Sequence, residues 1–351
     1  MPGRTLPLQL AVVLSALPAI AHAFTSCVGT SAELDAALEL VPASSDPFIN
    51  IKIRPGTYTA GAGIAFYVNQ AHSNQNVQIG GGWTGPACEV RSHGAEGTVL
   101  KGSSGVAALQ LNTGFDTTGN TIIAGDLTLR NDIGIANDAV GACLSVITQS
   151  GSTVDASRMR LDGCVGSSAA ILTNGAGGQL VFANSVVQGG YNHGAPVLLE
   201  SGGGTTRLAF LTITGNTATS ASQPASGLRI LAAPGSTVTL DSSIVWGGIA
   251  PEGIPDIATS GPGIVFTRAH YEARTQVNAI VVDNAPSHGD PGFLRPAYPR
   301  LRQDSALVDS GVASYGGGLD VEGHVRELGA AHDVGAYETI PDRIHADGFD
   351  H

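Results

Sequence analysis

The chain has 351 residues, a formal net charge of −12, and 13% charged against 42% hydrophobic residues. So much apolar material with so few charges argues against intrinsic disorder, and 48 Gly with 18 Pro but no Gly-X-Y period argues against collagen. The acidic surplus, with Lys52 and Lys101 the only lysines, argues against a nucleic-acid groove or a patch for anionic lipid.

Residues 1–23 read as a signal peptide. Arg4 supplies the positive start, residues 6–20 an apolar run, and Ala21-His22-Ala23 a small-residue cleavage site. The run is too short to span a bilayer and is broken by Pro7 and Pro18. Residues 24–45 read as an N-terminal capping segment. Thr30-Ser31-Ala32-Glu33 fits a capping box, and Leu34, Ala37, Leu38 and Val41 follow at helical spacing. Such a helix would shield strand edges that otherwise invite association.

Strands Ile51-Lys52-Ile53 and Val77-Gln78-Ile79 open a body that runs over 46–285, where an internal repeat decides the fold class. Gly163, Gly189, Gly215 and Gly247 each follow a short apolar pair, and Asn131 closes a fifth such segment. These landmarks stand 32, 26, 26 and 32 residues apart. Counting back from each glycine, Leu161, Val187, Ile213 and Val245 lie two before; Ala156, Phe182, Leu208 and Leu240 lie seven before. Val146, Leu172, Leu198 and Ile230 lie seventeen before. The count assigns all length variation to the segment after the glycine, such as 216–226.

Within each unit, apolar and polar residues alternate over three short pieces separated by Gly, Ser and Asn, the pattern of strands with one buried face. One unit cannot bury that face alone, but units stacked at the strand spacing can. The predicted fold is all-β: a right-handed, three-faced parallel β-helix with a short N-terminal capping helix. A β-propeller would need about 40 residues per blade. Residues 286–338 read as a C-terminal capping region and 339–351 as a flexible tail.

Four cysteines in an exported chain imply disulfides. Three pairings are open; proximity along the chain favours Cys27–Cys88 and Cys143–Cys164, with unpaired buried thiols as the alternative. No C-x-x-C is present, which speaks against a zinc or dithiol redox motif of that kind.

Certain segments carry a resemblance. The repeats Leu211-Thr212-Ile213-Thr214-Gly215-Asn216 and 236–246 are similar to those of secreted bacterial proteins of the parallel β-helix (pectin-lyase-like) superfamily. Asp290-Pro291-Gly292-Phe293, the run 305–311, Asp320-Val321-Glu322-Gly323-His324-Val325-Arg326 and Asp333-Val334-Gly335-Ala336-Tyr337-Glu338 resemble the choice-of-anchor Q type of C-terminal region. The resemblance covers most of residues 27–338. It implies fold and export; the group generally has no assigned activity. The tail 341–350 resembles a short terminal motif of some exported Gram-negative proteins.

Enzymes of that superfamily mostly cleave acidic polysaccharides. Calcium-dependent lyases need several converging carboxylates, and hydrolases need paired aspartates. The outward positions Arg130, Asp162, Gln188, Thr214, Trp246 and Thr128, Arg160, Val186, Thr212, Ile244 form no acidic ladder. Arg130 and Asp162 are placed to pair across adjacent coils. The histidines of Ser92-His93-Gly94, Asn192-His193-Gly194 and Ser287-His288-Gly289 read as loop residues, and no catalytic residue is assigned. Two weaker sites remain: Trp246 and Tyr191 as sugar-stacking aromatics, and Asp320, Glu322, Asp333 and Glu338 as ligands of a structural calcium, with Arg326 as the alternative neutraliser.

The sequence therefore reads as an exported, non-enzymatic β-helix protein, secreted or on the outer surface of a Gram-negative cell, or else periplasmic. The expected partner is an extracellular polysaccharide or a surface protein. The alternatives are a polysaccharide lyase or glycoside hydrolase, and a structural spacer in a surface assembly.

Overall fold

The computed structural model describes residues 23–63, 65–103, 105–132, 142–220, 224–295, 297–312 and 318–340. The expected signal peptide, apart from Ala23, and the tail beyond residue 340 lie outside the described residues, as does most of the long loop after Asn131.

The chain is a right-handed parallel β-helix. A 14-stranded and an 8-stranded sheet run along it, and their strands pair in parallel with the equivalent strands of the next coil. Each central coil makes three faces. The first face is the 8-stranded sheet, which includes Ala170–Asn174, Val197–Ser201 and Leu228–Ala232. The second and third faces are the two halves of ten-residue strands such as Thr153–Asp162, Gln179–Gln188 and Thr205–Thr214. Between the halves the backbone turns through a left-handed residue: Asp126, Arg158, Asn184, Phe210, Ser242 and Arg268, with φ from 46° to 60°. Phe and Arg rarely adopt that region, so stacking imposes the corner on whatever residue falls there. Ser185 and Ser243, next in the chain, accept the N–H of Met159 and Leu211 from the preceding coil and donate to Ala183 and Asp241 carbonyls.

Alternation fills the interior. Ala156, Phe182, Leu208 and Leu240 stack at successive register positions, as do Leu161, Val187 and Ile213, and all are buried. One register expectation fails. Leu172 pairs with Leu199, and Leu199 with Ile230. Leu198 points outward, between Ile171 and Arg229. The cause is the turn between the first and second faces. Four residues separate Leu144–Thr148 from Thr153–Asp162 and Ala170–Asn174 from Gln179–Gln188, but only three (202–204) separate Val197–Ser201 from Thr205–Thr214. Not all length variation follows the glycine landmark, and a one-residue slip reverses the face a side chain takes.

At the N-terminal end, the helix Ser31–Ala43 is capped by Thr30 and Glu33 in a complete capping box and buries Leu34, Ala37, Leu38 and Val41. It packs on Ala23–Val28, Phe48–Ile53 and Phe66–Asn69. Ala23–Val28 is itself the first strand of the column, paired with Phe48–Ile53, so the column starts one strand before Ile51-Lys52-Ile53. Both favoured disulfides, Cys27–Cys88 and Cys143–Cys164, are formed. They fit an oxidising compartment, and among the described residues no helix is long and apolar enough to cross a membrane.

The C-terminal region lies along the side of the column. Val186, Thr212 and Ile244, expected to face solvent on the third face, are buried. Ala336, Tyr337 and Val321 cover Val186, while Leu301, Leu307 and Val334 cover Ile244. Thr212 Oγ1 accepts the N–H of Ala336 at 2.9 Å, and the N–H of Gly335 reaches the Ser242 carbonyl at 2.8 Å. Gly335 has φ 100°, and a Cβ there would stand 2.8 Å from Thr212 Oγ1. The Asp-x-Gly-Ala-Tyr-Glu run is thus a docking strip whose glycine permits backbone contact with the column.

Candidate functional site

A cavity with a volume of ≈580 Å³ opens on the first face. Its floor is Ile171, Leu198 and Arg229, one outward residue from each of three adjacent strands, in register. Its wall comes from the loops that enter those strands: Ser167 and Ser168, then His193, Gly194 and Ala195, then Ser220 and Pro224. A Cβ on Gly194 would stand 2.7 Å from the Ser167 carbonyl, so the glycine lets adjacent loops close up and form that wall.

Arg229 sits outward by simple alternation, between buried Leu228 and Ile230. It makes no hydrogen bond or ion pair with another described residue, although most arginines of the chain are paired. His193 Nδ1 lies 3.0 Å from Thr219 Oγ1, which orients the ring at the rim. A second depression of ≈380 Å³ continues along the same face over Thr173, Glu200, Leu231 and Ser260. No described residue lining the larger cavity is a carboxylate. A guanidinium among hydroxyls suits a bidentate anion such as a carboxylate or sulfate; this lining brings together neither the two carboxylates of glycoside hydrolysis nor an oxygen cage for calcium.

The residues singled out from sequence fall elsewhere. Trp246 is half-buried under the C-terminal region, its ring edge-on to Phe293 at 6.1 Å, and so does not stand on an open face. Tyr191 is 51% exposed and stacks in register between Val165 and Thr217. It is two residues from His193 but does not line the cavity. Arg130 and Asp162 form the expected pair at 2.7 Å.

The four C-terminal carboxylates split into two groups. Asp333 and Glu338 are buried beside Arg326, whose guanidinium is 1% exposed, lies 4.1 Å over the Phe210 ring and donates to Asn184 Oδ1 at 2.6 Å. Burial draws Arg326 down to about 10 despite Glu338 and the neighbouring aspartates. Burial, with Asp333 adjacent, pushes Glu338 up to about 8. Asp320 and Glu322 instead converge with His324, and their ligand atoms all lie within 4.8 Å of one another. Asp333 and Glu338 do not join that group.

A further ionic node was not legible in the sequence. Asp126, fully buried at the left-handed corner, accepts Arg91 and Arg158 at 2.7 Å each, His93 at 3.1 Å and the Gly94 N–H at 2.9 Å. His93 is therefore a structural partner. The groove residues Arg229 and His193 were also missed. Alternation with the inward Ile230 already turns Arg229 outward; that Leu198 joins it on the same floor is signalled only by the short turn at 202–204.

Among solved structures, the chain is similar to the crystal structure of pectate lyase Pel9A, at 12% identity and a TM-score of 0.28, over 86% of this chain and 90% of that one. No known family profile matches the chain, and no curated protein matches it. The parallel β-helix assignment rests on the chain's own strand register.

Proposed function

We propose that this is an exported, non-enzymatic β-helix protein that holds an anionic extracellular polysaccharide along its first face. The observation that carries the reading is Arg229, a guanidinium without a partner among the described residues on the floor of a ≈580 Å³ groove. The guanidinium is partly open to water, so a ligand anion can replace that water on it. The outward aliphatic floor of Ile171 and Leu198 suits the apolar face of a sugar ring, and the serines and His193 suit its hydroxyls. The two disulfides support a location outside the cytoplasm. Within this reading, the C-terminal region is of the choice-of-anchor Q type and the protein works at or beyond the outer surface of a Gram-negative cell.

The test is binding of polygalacturonate, a sulfated glycan and a neutral glucan by the purified chain. Binding of an acidic glycan, with affinity lowered about 10–100-fold in Arg229→Ala as for a lost charge-assisted hydrogen bond, is the expected result. Equal binding by the variant overturns the site. Release of unsaturated or reducing ends, with or without calcium, overturns the non-enzymatic assignment in favour of a lyase or hydrolase.

A further inference from the structure

The loop Asp320-Val321-Glu322-Gly323-His324 sits on the flank of the column, on a different face from the groove. Three of its side chains turn to one point. His324 Nδ1 is 3.4 Å from Asp320 Oδ2 and 3.6 Å from Glu322 Oε2. The second distance is too long for a hydrogen bond, and Glu322 Oε2 accepts none from any described residue, although the side chain is only 9% exposed. A carboxylate oxygen shut from water without a donor is costly, and this one faces an imidazole nitrogen and a second carboxylate.

We propose that Asp320, Glu322 and His324 form a binding site for a divalent transition ion of the zinc class. Zinc holds nitrogen and carboxylate oxygen at about 2.0–2.2 Å in a tetrahedron. Two ligands of such an ion stand ~3.3–3.5 Å apart by that geometry, close to the separations around His324 Nδ1. Imidazole suits zinc, nickel or copper, whereas calcium takes oxygen ligands; His324 therefore sets this site apart from the calcium expected for the four carboxylates.

The surrounding contacts fix the ligands as metal sites require. Asp320 Oδ1 accepts the N–H groups of Glu322 and His324 at 2.9 and 2.7 Å, and Oδ2 accepts the Glu338 N–H at 3.0 Å. The other oxygen of Glu322 is taken by the Tyr298 hydroxyl at 2.5 Å and by Arg300, which leaves Oε2 turned toward His324. Asp320 is fully buried while His324 is 28% exposed, so an ion enters from solvent past the imidazole and keeps its fourth position for water. The ion would tie the loop to the docking strip through Asp320 and Glu338.

The test is calorimetric titration of the chelator-stripped full chain with zinc chloride, with cobalt(II) as a spectroscopic substitute. The expected result is one equivalent bound, affinity at least tenfold weaker in His324→Ala, and no change in melting of the metal-free protein on that substitution. Absence of zinc uptake, uptake unchanged in His324→Ala, or saturation by calcium but not zinc overturns the proposal. Should the variant not fold, the wild-type cobalt spectrum decides: intense tetrahedral visible bands support the site, and a weak octahedral spectrum overturns it.

Discussion

Leu198 and Leu199 are adjacent, chemically identical and oppositely placed, so truncating each in turn reads the register directly. Leu199 is fully buried in the column, between Leu172 and Ile230, which are also fully buried. Leu198 lies on the groove floor with one side open. Leu199→Ala forfeits the transfer energy of a buried side chain and leaves a cavity in a column that cannot collapse without disturbing both neighbouring coils. The cost is about 2–5 kcal/mol. Unfolding entropy of about 2.1 cal/mol/K per residue over a chain of 351 residues converts this to a fall of roughly 3–7 °C in Tm. Leu198→Ala removes a partly solvated side chain and should cost less than about 1 kcal/mol, while weakening acidic-glycan binding. Urea and thermal unfolding of both variants, alongside glycan binding, give the answer. A larger loss for Leu198→Ala than for Leu199→Ala would refute the one-residue turn difference and the groove built on it.

Two further outcomes follow from the ionic and covalent ties. The Asp126 carboxyl is held below its usual value: burial pushes it up, but Arg158, the Gly94 N–H and Arg91 outweigh that. Its stabilisation is therefore fully present above about pH 4, the unperturbed carboxylate range, and is lost as pH falls through the lowered value. Asp126→Asn, which removes the buried carboxylate that Arg91, Arg158 and His93 share, should cost about 3–5 kcal/mol at pH 7, with the difference from wild type shrinking toward pH 2; urea midpoints across pH test this, and a pH-independent difference would count against it. Cys→Ser replacement of the Cys27–Cys88 pair should cost about 4 kcal/mol and of the Cys143–Cys164 pair about 3 kcal/mol, following their separations of 61 and 21 residues; calorimetry that finds neither variant destabilised would exclude the loop-entropy argument.

The parts of this fold that repeat were readable from the chain because each depends on a local rule. Alternation, as at Leu180 and Phe182, marks the inward side, and equal spacing stacks it. The capping box at Thr30 and Glu33 is four residues long, and its helix needs nothing further to be placed. The parts that failed depend on joining two segments. A constant distance from Gly215 puts Leu198 in the interior, and one missing turn residue reverses it. Val186, Thr212 and Ile244 read as solvent-facing because nothing in the third-face strands announces that residues more than fifty positions downstream lie against them. Trp246 changed from an exposed aromatic to a packed one for the same reason.

By itself the sequence determined the stacking of coils, the interior columns of the second and third faces and the capped first helix, and it favoured the cysteine pairing that forms. Each follows from periodicity or from nearness along the chain. Only the tertiary structure decided which outward residues meet water, why Arg229 has no partner among the described residues while Arg326 is enclosed, and that His324 joins Asp320 and Glu322. A solenoid fixes its inside by repetition, but its outside depends on turn lengths and on where the last segment of chain comes to rest, and neither quantity repeats.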